Sequence, residues 1–142
     1  MKKQNLLVIM CDQLRKDYLG CYGNEVVRTP NIDSIASQAL RFNNCFVNNP
    51  ICMPNRMSIF TGLYPHNHNQ WTNGNQLEHP LPTLADHLAE NGYSTASIGK
   101  IHFQCTDCGE NAPRISMEDH RLWKEKGDNI DWYGPYWGYQ HV

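Results

Sequence analysis

Apolar runs separated by turn residues predict three strands in this chain. Residues 6–10 form an unbroken apolar run, which is the pattern of a strand buried on both faces of a parallel sheet. Residues 40–47 and 93–98 are mixed segments bounded by turn residues, and they predict two further strands.

Helical spacing of apolar residues and capping residues predict four helices. Pro30 follows Thr29 at the start of the first, and Gly62 lies just past the end of the second, as is typical of helix starts and ends. The predicted spans are 30–39, 54–61, 84–91 and 116–126. Residues 64–82 lack periodicity, which predicts a long surface loop.

The order strand, helix, strand, helix, helix, strand predicts an α/β fold with a mostly parallel sheet and flanking helices. In such sheets ligands bind beyond the carboxyl ends of the strands. Asp12 with Gln13, Cys52, and Lys100 with His102 each follow a predicted strand directly or after a short loop. We therefore expect these three loops to meet at one edge of the sheet.

Charge and hydropathy exclude some classes of partner. The chain carries 12 basic and 14 acidic residues, a net charge of −2, so we expect no nucleic-acid partner and no anionic membrane surface. The apolar run at 6–10 is far shorter than the ~20 residues of a membrane helix and too short for a signal peptide. The expected location is cytoplasmic, although a chain that had lost a leader would show the same pattern.

Six cysteines occur, and without a recognisable leader we expect free thiols. Cys105 and Cys108 have the two-residue gap of a zinc or redox pair, with His102 and His120 nearby. Because no second cysteine pair is present, a four-ligand zinc site is not favoured, and the role of this pair stays open.

The stretch Cys52-Met53-Pro54-Asn55-Arg56 predicts a nucleophile site. Proline near the start of a helix places Cys52 at the helix N-terminus, and Arg56 lies about one turn further along. Unpaired backbone N–H groups, the helix dipole and the guanidinium all favour a thiolate and would hold an oxyanion. The alternatives are a small buried thiol beside a surface cation, or a cysteine hydrolase in which His102 is the base.

These residues, together with 61–66, resemble the signature of the formylglycine-dependent sulfatases, which belong to the alkaline phosphatase superfamily. The resemblance covers roughly the first hundred residues and includes blocks at 29–33, 84–88 and 99–102. It implies an alkaline phosphatase-like sulfatase fold. Sulfatases are several times longer, so residues 1–142 are expected to be the N-terminal part of a catalytic domain whose downstream part is missing, and to be inactive alone.

The resemblance also implies roles at residue 52 and in the motif that follows it. A maturation enzyme would oxidise Cys52 to Cα-formylglycine, whose hydrate attacks the sulfur of a sulfate ester. Pro54 and Arg56 match the part of the motif that this enzyme reads, whereas Asn55 stands where serine is usual. Arg56 would hold the hydrate and shield its charge.

Two residues of the block at 99–102 match the family's catalytic pair. Lys100 would contact the sulfate ester, and His102 would hydrogen-bond the hydrate and assist proton transfer. Ile101 stands in the place of the usual tryptophan between them. Of His66, His68 and His79 in the predicted loop, one is expected to touch the site.

The resemblance makes Asp12 and Gln13 metal ligands, together with the modified side chain of Cys52. Carboxylate and amide oxygens suit a hard divalent cation, and Ca²⁺ is expected, with Mg²⁺ or Mn²⁺ as alternatives. The remaining ligands would come from further along the chain, so metal affinity is expected to be weak or absent.

Two alternative functions stay open. A phosphonate or phosphate monoester hydrolase of the same superfamily would bind a similar tetrahedral group. A non-catalytic fragment would use its aromatic segment at 133–142 for association. Whichever function applies, we expect the isolated chain to expose apolar surface and to self-associate. The alcohol portion of the substrate is not encoded in any motif of the chain.

Overall fold

The computed structural model describes residues 3–75, 77, 81–107, 116–127 and 131–142. The chain divides into two compact units, Met1–Phe46 and Val47–Val142. The described residues form two single-turn 3-10 helices, Lys16–Tyr18 and Gly20–Tyr22, and α-helices that we number α1 (Pro30–Gln38), α2 (Cys52–Thr61), α3 (Pro65–His68), α4 (Leu84–Glu90) and α5 (His120–Lys126).

Asp33 of α1 ties the first unit together. Its Oδ1 accepts hydrogen bonds from the backbone N–H of Cys21 at 2.7 Å and from the hydroxyl of Thr29 at 3.0 Å. The helix begins at Pro30, as predicted, because proline needs no N–H partner at a helix start. Its predicted apolar face is not buried: Ile35 is 63% exposed, and α1 contains no buried residue.

The predicted strands do not form among the described residues, so the prediction of a mostly parallel sheet is not confirmed. The described pairing consists of two isolated bridges, Ala96 with His141 in parallel and Tyr136 with Tyr139 in antiparallel orientation. A strand is stable only when neighbouring strands take up its backbone hydrogen bonds. The segment at 6–10 has no such neighbour among the residues that the structure describes, and Leu7 is 81% exposed.

The core of the second unit lies between α2 and an aromatic cluster. Met53 and Met57 of α2 and Phe103 are completely buried. The ring of Phe103 meets Phe60 of α2 edge-on at 5.3 Å and Trp137 at 5.5 Å between centroids. Such contacts join α2 to two distant parts of the chain.

The aromatic segment at 133–142 packs against its own unit. The backbone N–H of Gln140 donates to the carbonyl of Thr95 at 3.0 Å, and the Thr95 hydroxyl donates to the carbonyl of Gly138 at 2.8 Å. Tyr133 of this segment is nevertheless 69% exposed, and the exposed apolar side chains that the sequence predicted also include Val26, Leu40, Phe46 and Ile98. Self-association stays a prediction.

The starts of α2 and α5 differ from the prediction, and the end of α2 agrees with it. α2 begins at Cys52, two residues before the predicted start at Pro54, and ends as predicted before Gly62, whose φ of 71° suits a residue without a β-carbon. α5 begins at His120, later than predicted, because the Asp119 side chain caps it.

Thr83 starts α4 as predicted. The Thr83 hydroxyl oxygen accepts a hydrogen bond from the backbone N–H of Asp86 at 3.2 Å, and the Asp86 carboxylate accepts one from the backbone N–H of Thr83 at 2.7 Å. This reciprocal pair is a capping box.

The prediction of a surface loop over residues 64–82 is wrong in part. Pro65 starts the short helix α3, and Asn69, with φ of 59°, ends it. His68 and Gln70 are buried, with 1% and 0% of their surface exposed. Polar composition predicted exposure, but His68 hydrogen-bonds to Ser58 of α2 and the side-chain amide of Gln70 donates to the carbonyl of Phe103, and these bonds offset part of the cost of burial.

The expectation of free thiols holds for Cys11, Cys21, Cys45 and Cys52. It is wrong for Cys105, which is disulfide-bonded, because the expectation came from the lack of a recognisable leader, and that pattern does not show which sulfur atoms lie within bonding distance. Cys108 lies outside the described residues. In the part of the chain that the structure describes, no helix is long and apolar enough to cross a membrane.

Candidate active site

Cys52 occupies the first turn of α2, where the sequence placed it. It is the first residue of the helix, its thiol is free, and its side chain is half-buried. The cap residue Ile51 offers no side-chain hydrogen bond, so the first backbone N–H groups of α2 need partners from elsewhere.

Asn73 supplies one of those partners and also contacts the thiol. Its Oδ1 accepts hydrogen bonds from the backbone N–H of Met53 at 3.1 Å and from Cys52 Sγ at 3.3 Å. Sequence reasoning missed this residue. Asn73 precedes Gly74, which signals a turn, but no local signal shows that the turn reaches a helix start some 20 residues away.

Arg56 lies on the buried side of α2, with 5% of its surface exposed. Its Nη1 donates to the backbone carbonyl of Lys100 at 2.6 Å. A guanidinium is rarely buried unless it is well partnered, so this bond is a strong link between the Cys52 helix and the segment that carries Lys100 and His102.

Lys100 and His102 line one cavity. Its volume is about 320 Å³, and Glu118, Trp123 and Tyr136 contribute to its walls. Lys100 is exposed, whereas His102 has only 6% of its surface exposed. Both residues of the predicted pair therefore line the same cavity.

The backbone at His102 is in an unusual conformation. Its φ of 59° lies in the left-handed region, which side chains with a β-carbon rarely adopt. Such a conformation costs of order 1–3 kcal/mol and persists only where the surroundings enforce it, most often at functional sites. Gln13, one of the predicted metal ligands, has a similar φ of 55°.

Asp12 and Gln13 belong to the first unit, and both are exposed. Their oxygen atoms suit a hard divalent cation, but two side chains fall short of the six to eight oxygen ligands that Ca²⁺ takes. Over the described ranges no group of three His, Cys, Asp or Glu residues could hold a metal ion. That these two residues share a metal site with Cys52 stays a prediction.

Of the two described histidines of the predicted loop, His68 contacts α2, while His66 is exposed and stacks on Tyr64. His68 Nδ1 accepts the backbone N–H of Gln70 at 3.1 Å, so the proton lies on Nε2, which donates to the Ser58 hydroxyl 2.9 Å away. Burial lowers the pKa of His68 below the ordinary 6.5 and favours this neutral form. His79 lies outside the described residues.

Glu118 is the second residue that sequence reasoning missed. Its carboxylate lies on the cavity wall with His102 and accepts hydrogen bonds from the backbone N–H groups of Phe103 and Gln104. Burial raises the pKa of Glu118 above its ordinary value, while the donated hydrogen bonds act in the opposite direction. No spacing or motif in the sequence signals these contacts.

Known proteins with similar sequences hydrolyse sulfate esters. The chain is 32% identical to N-acetylglucosamine-6-O-sulfatase of Bacteroides thetaiotaomicron over 92% of its own length and 23% of that protein. It is 41% identical to human iduronate 2-sulfatase over 68% of its length and 18% of that protein. A third relative is choline-sulfatase of Rhizobium meliloti, with 30% identity over 92% of the chain and 27% of the relative.

These relatives and a family model identify the same family for this chain. The family model described as Sulfatase matches residues 4–140, and the chain belongs to the sulfatase family. The chain spans about a fifth of the length of the first two of these relatives.

The fold agrees with this family. A solved structure assigned to a sulfatase of Bacteroides thetaiotaomicron matches with a TM-score of 0.66 and 34% sequence identity, covering 71% of this chain and 23% of the other. The likeness is consistent with the alkaline phosphatase-like fold that the sequence predicted, although the sheet itself is not formed by the described residues.

Proposed function

We propose that the chain contributes the N-terminal part of a sulfatase active site, in which Cys52 is oxidised to Cα-formylglycine. The observation that supports this most directly is the setting of Cys52. Its free thiol stands at the start of α2, next to the amide oxygen of Asn73, on a helix that Arg56 links to Lys100. A structural cysteine would need neither a position at a helix start nor the buried guanidinium one turn away.

Formylglycine in its hydrated form supplies two hydroxyls on one carbon, one for attack on sulfur and one for the later release of sulfate. The residues of this chain bind and orient the groups around it. Asn73 Oδ1, now 3.3 Å from Cys52 Sγ, is in place to accept a hydrogen bond from a hydroxyl at that position. Lys100 would place its ammonium against the sulfuryl oxygens, and His102 would move the proton.

Asp12 and Gln13 would be the first two ligands of a divalent cation, with Ca²⁺ as the proposed ion. A cation there would neutralise charge on the sulfuryl oxygens. The oxygen donors fit a hard cation in type but not in number. We therefore expect calorimetry on the 142-residue chain to show weak Ca²⁺ binding or none.

Conversion of Cys52 is tested by mass spectrometry of its peptide after co-expression with a formylglycine-generating enzyme. The peptide should lose mass as its thiol becomes an aldehyde, whereas the exposed free thiol of Cys45 should stay unchanged in the same sample. Asn55→Ser should raise the converted fraction, because it restores the usual motif. An unmodified Cys52 in both proteins would refute the proposal.

The structure adds a condition on timing. Pro54 is completely buried and Arg56 nearly so, and these are the residues that the maturation enzyme is expected to read. Conversion should therefore occur on co-expression, before the unit folds, and should fail when the enzyme is added to folded protein. Equal conversion in both experiments would contradict this reasoning.

Activity is tested with an aryl sulfate and an aryl phosphonate, each offered to the 142-residue chain and to a longer chain that includes further metal ligands. We expect no turnover by the shorter chain and a preference for the sulfate by the longer one. A preference for the phosphonate would assign the site to a phosphonate hydrolase of the same superfamily.

A further inference from the structure

Glu118 joins three segments of the second unit through one oxygen atom. Its Oε1 accepts hydrogen bonds from the backbone N–H of Phe103 at 2.8 Å and of Gln104 at 3.1 Å. The hydroxyl of Tyr136 donates to the same oxygen at 2.8 Å. The segment after residue 102, the turn before α5 and the C-terminal aromatic segment thus meet at this carboxylate.

Placing the carboxylate of Glu118 at this position carries a cost in solvation free energy. Partial burial removes water from the charge, which is the main reason that the pKa of Glu118 lies above its ordinary 4.5. Charged acceptors form hydrogen bonds roughly twice as strong as neutral ones, and three donors share this acceptor oxygen. These strong hydrogen bonds offset the solvation cost, and they hold the three donor groups in fixed positions.

Two of those groups follow His102 directly in the chain. Fixing the N–H groups of Phe103 and Gln104 fixes the two peptide planes that follow His102, the residue with the unfavourable φ of 59°. The buried ring of Phe103, packed between Phe60 and Trp137, holds the same segment from the other side. A strained conformation persists only under such enforcement.

We propose that Glu118 is a positioning residue, which holds the main chain after His102 so that the imidazole stays on the cavity wall beside Lys100. Glu118 would hold this main-chain segment whether or not the chain takes part in sulfate ester hydrolysis. Its importance for catalysis rests on the proposed function, in which His102 transfers a proton. Glu118 itself need not touch the substrate.

The holding is tested by amide hydrogen exchange, followed by NMR, on the 142-residue chain. Glu118→Ala should speed exchange at Phe103 and Gln104 by about tenfold or more, because both amides lose their acceptor. Glu118→Gln keeps an acceptor oxygen and should restore most of the protection. Glu125→Ala is the matched control, an exposed glutamate on the neighbouring helix α5, and should leave both amides unchanged.

Two results of this experiment would overturn the proposal. Unchanged exchange at Phe103 and Gln104 in Glu118→Ala would show that the carboxylate does not hold them. An equal acceleration at the amides of α2 and α4 would show general destabilisation instead of local holding. The imidazole signals of His102 should also shift in Glu118→Ala, whereas those of the exposed His66 should not.

Catalytic importance is tested in a longer, formylglycine-bearing chain that turns over an aryl sulfate. Glu118→Ala should lower kcat by about tenfold or more with KM nearly unchanged, and Glu118→Gln should recover most of the rate. An unchanged kcat would overturn the positioning role. Absence of turnover in the unaltered protein would refute the proposed function instead, while the exchange and imidazole signals would still decide whether Glu118 holds this segment.

Discussion

Replacing His68 with alanine removes the side chain that fastens the loop after α3 to the Cys52 helix. The Ser58 hydroxyl and the backbone N–H of Gln70 both lose their partner, and all three residues are buried. A buried polar group left without a partner costs about 1–3 kcal/mol, so His68→Ala should lower the free energy of unfolding by about 2–6 kcal/mol. His68→Gln can still reach one of the two partners and should lose about half as much.

Urea unfolding, followed by tryptophan fluorescence, measures this loss. His66→Ala is the matched control, because His66 lies in the same short helix and is exposed, and it should change stability by no more than about 0.5 kcal/mol. Ser58→Ala, alone and combined with His68→Ala, completes a double-mutant cycle that isolates the bond between the two side chains. A loss in His68→Ala no larger than that of the control would refute the reasoning.

The remaining predictions concern pH, helix capping and association. Because burial lowers the pKa of folded His68 below 6.5, the unfolded state binds more protons just below that value, so the free energy of unfolding should fall as pH falls from about 7 toward 5; His68→Gln should weaken this decline. A decline of equal size in both proteins would contradict the assignment. Thr83→Ala should cost about 1–2 kcal/mol in urea unfolding, since it removes the capping box and a hydrogen bond to the carbonyl of Trp137, and Thr83→Ser should recover most of it. Leu7→Ser should reduce self-association in sedimentation experiments, because this side chain is 81% exposed; a monomeric parent protein would argue against apolar association.

Local sequence signals predicted local structure well. Pro30 marks the start of α1, and Gly62 and Thr83 mark the end of α2 and the start of α4, because each acts within one turn of its own position. The prediction of the sheet was not confirmed, because a sheet depends on contacts between distant segments. A strand depends on partners from distant segments, and apolar runs such as that at 6–10 show the readiness to pair but not the presence of a partner.

The same distinction separates the site residues that were predicted from those that were missed. Cys52 and Arg56 were found because their spacing on one helix carries the signal. Asn73 and Glu118 act across 20 and about 15 residues of intervening chain, through hydrogen bonds that have no counterpart in local pattern. That Lys100 and His102 share a cavity agrees with their predicted pairing, whereas their roles stay predictions.

The bond between Arg56 and position 100 has a practical consequence for protein engineering. Because the guanidinium of Arg56 donates to the backbone carbonyl of residue 100, replacing the lysine side chain leaves the acceptor of this hydrogen bond in place. The backbone hydrogen bond and the side-chain charge can thus be changed separately at this position. Lys100→Met would remove the ammonium charge and keep the hydrogen bond from Arg56. Substitutions at this position can therefore change the charge of the cavity lining while the hydrogen bond from Arg56 is kept.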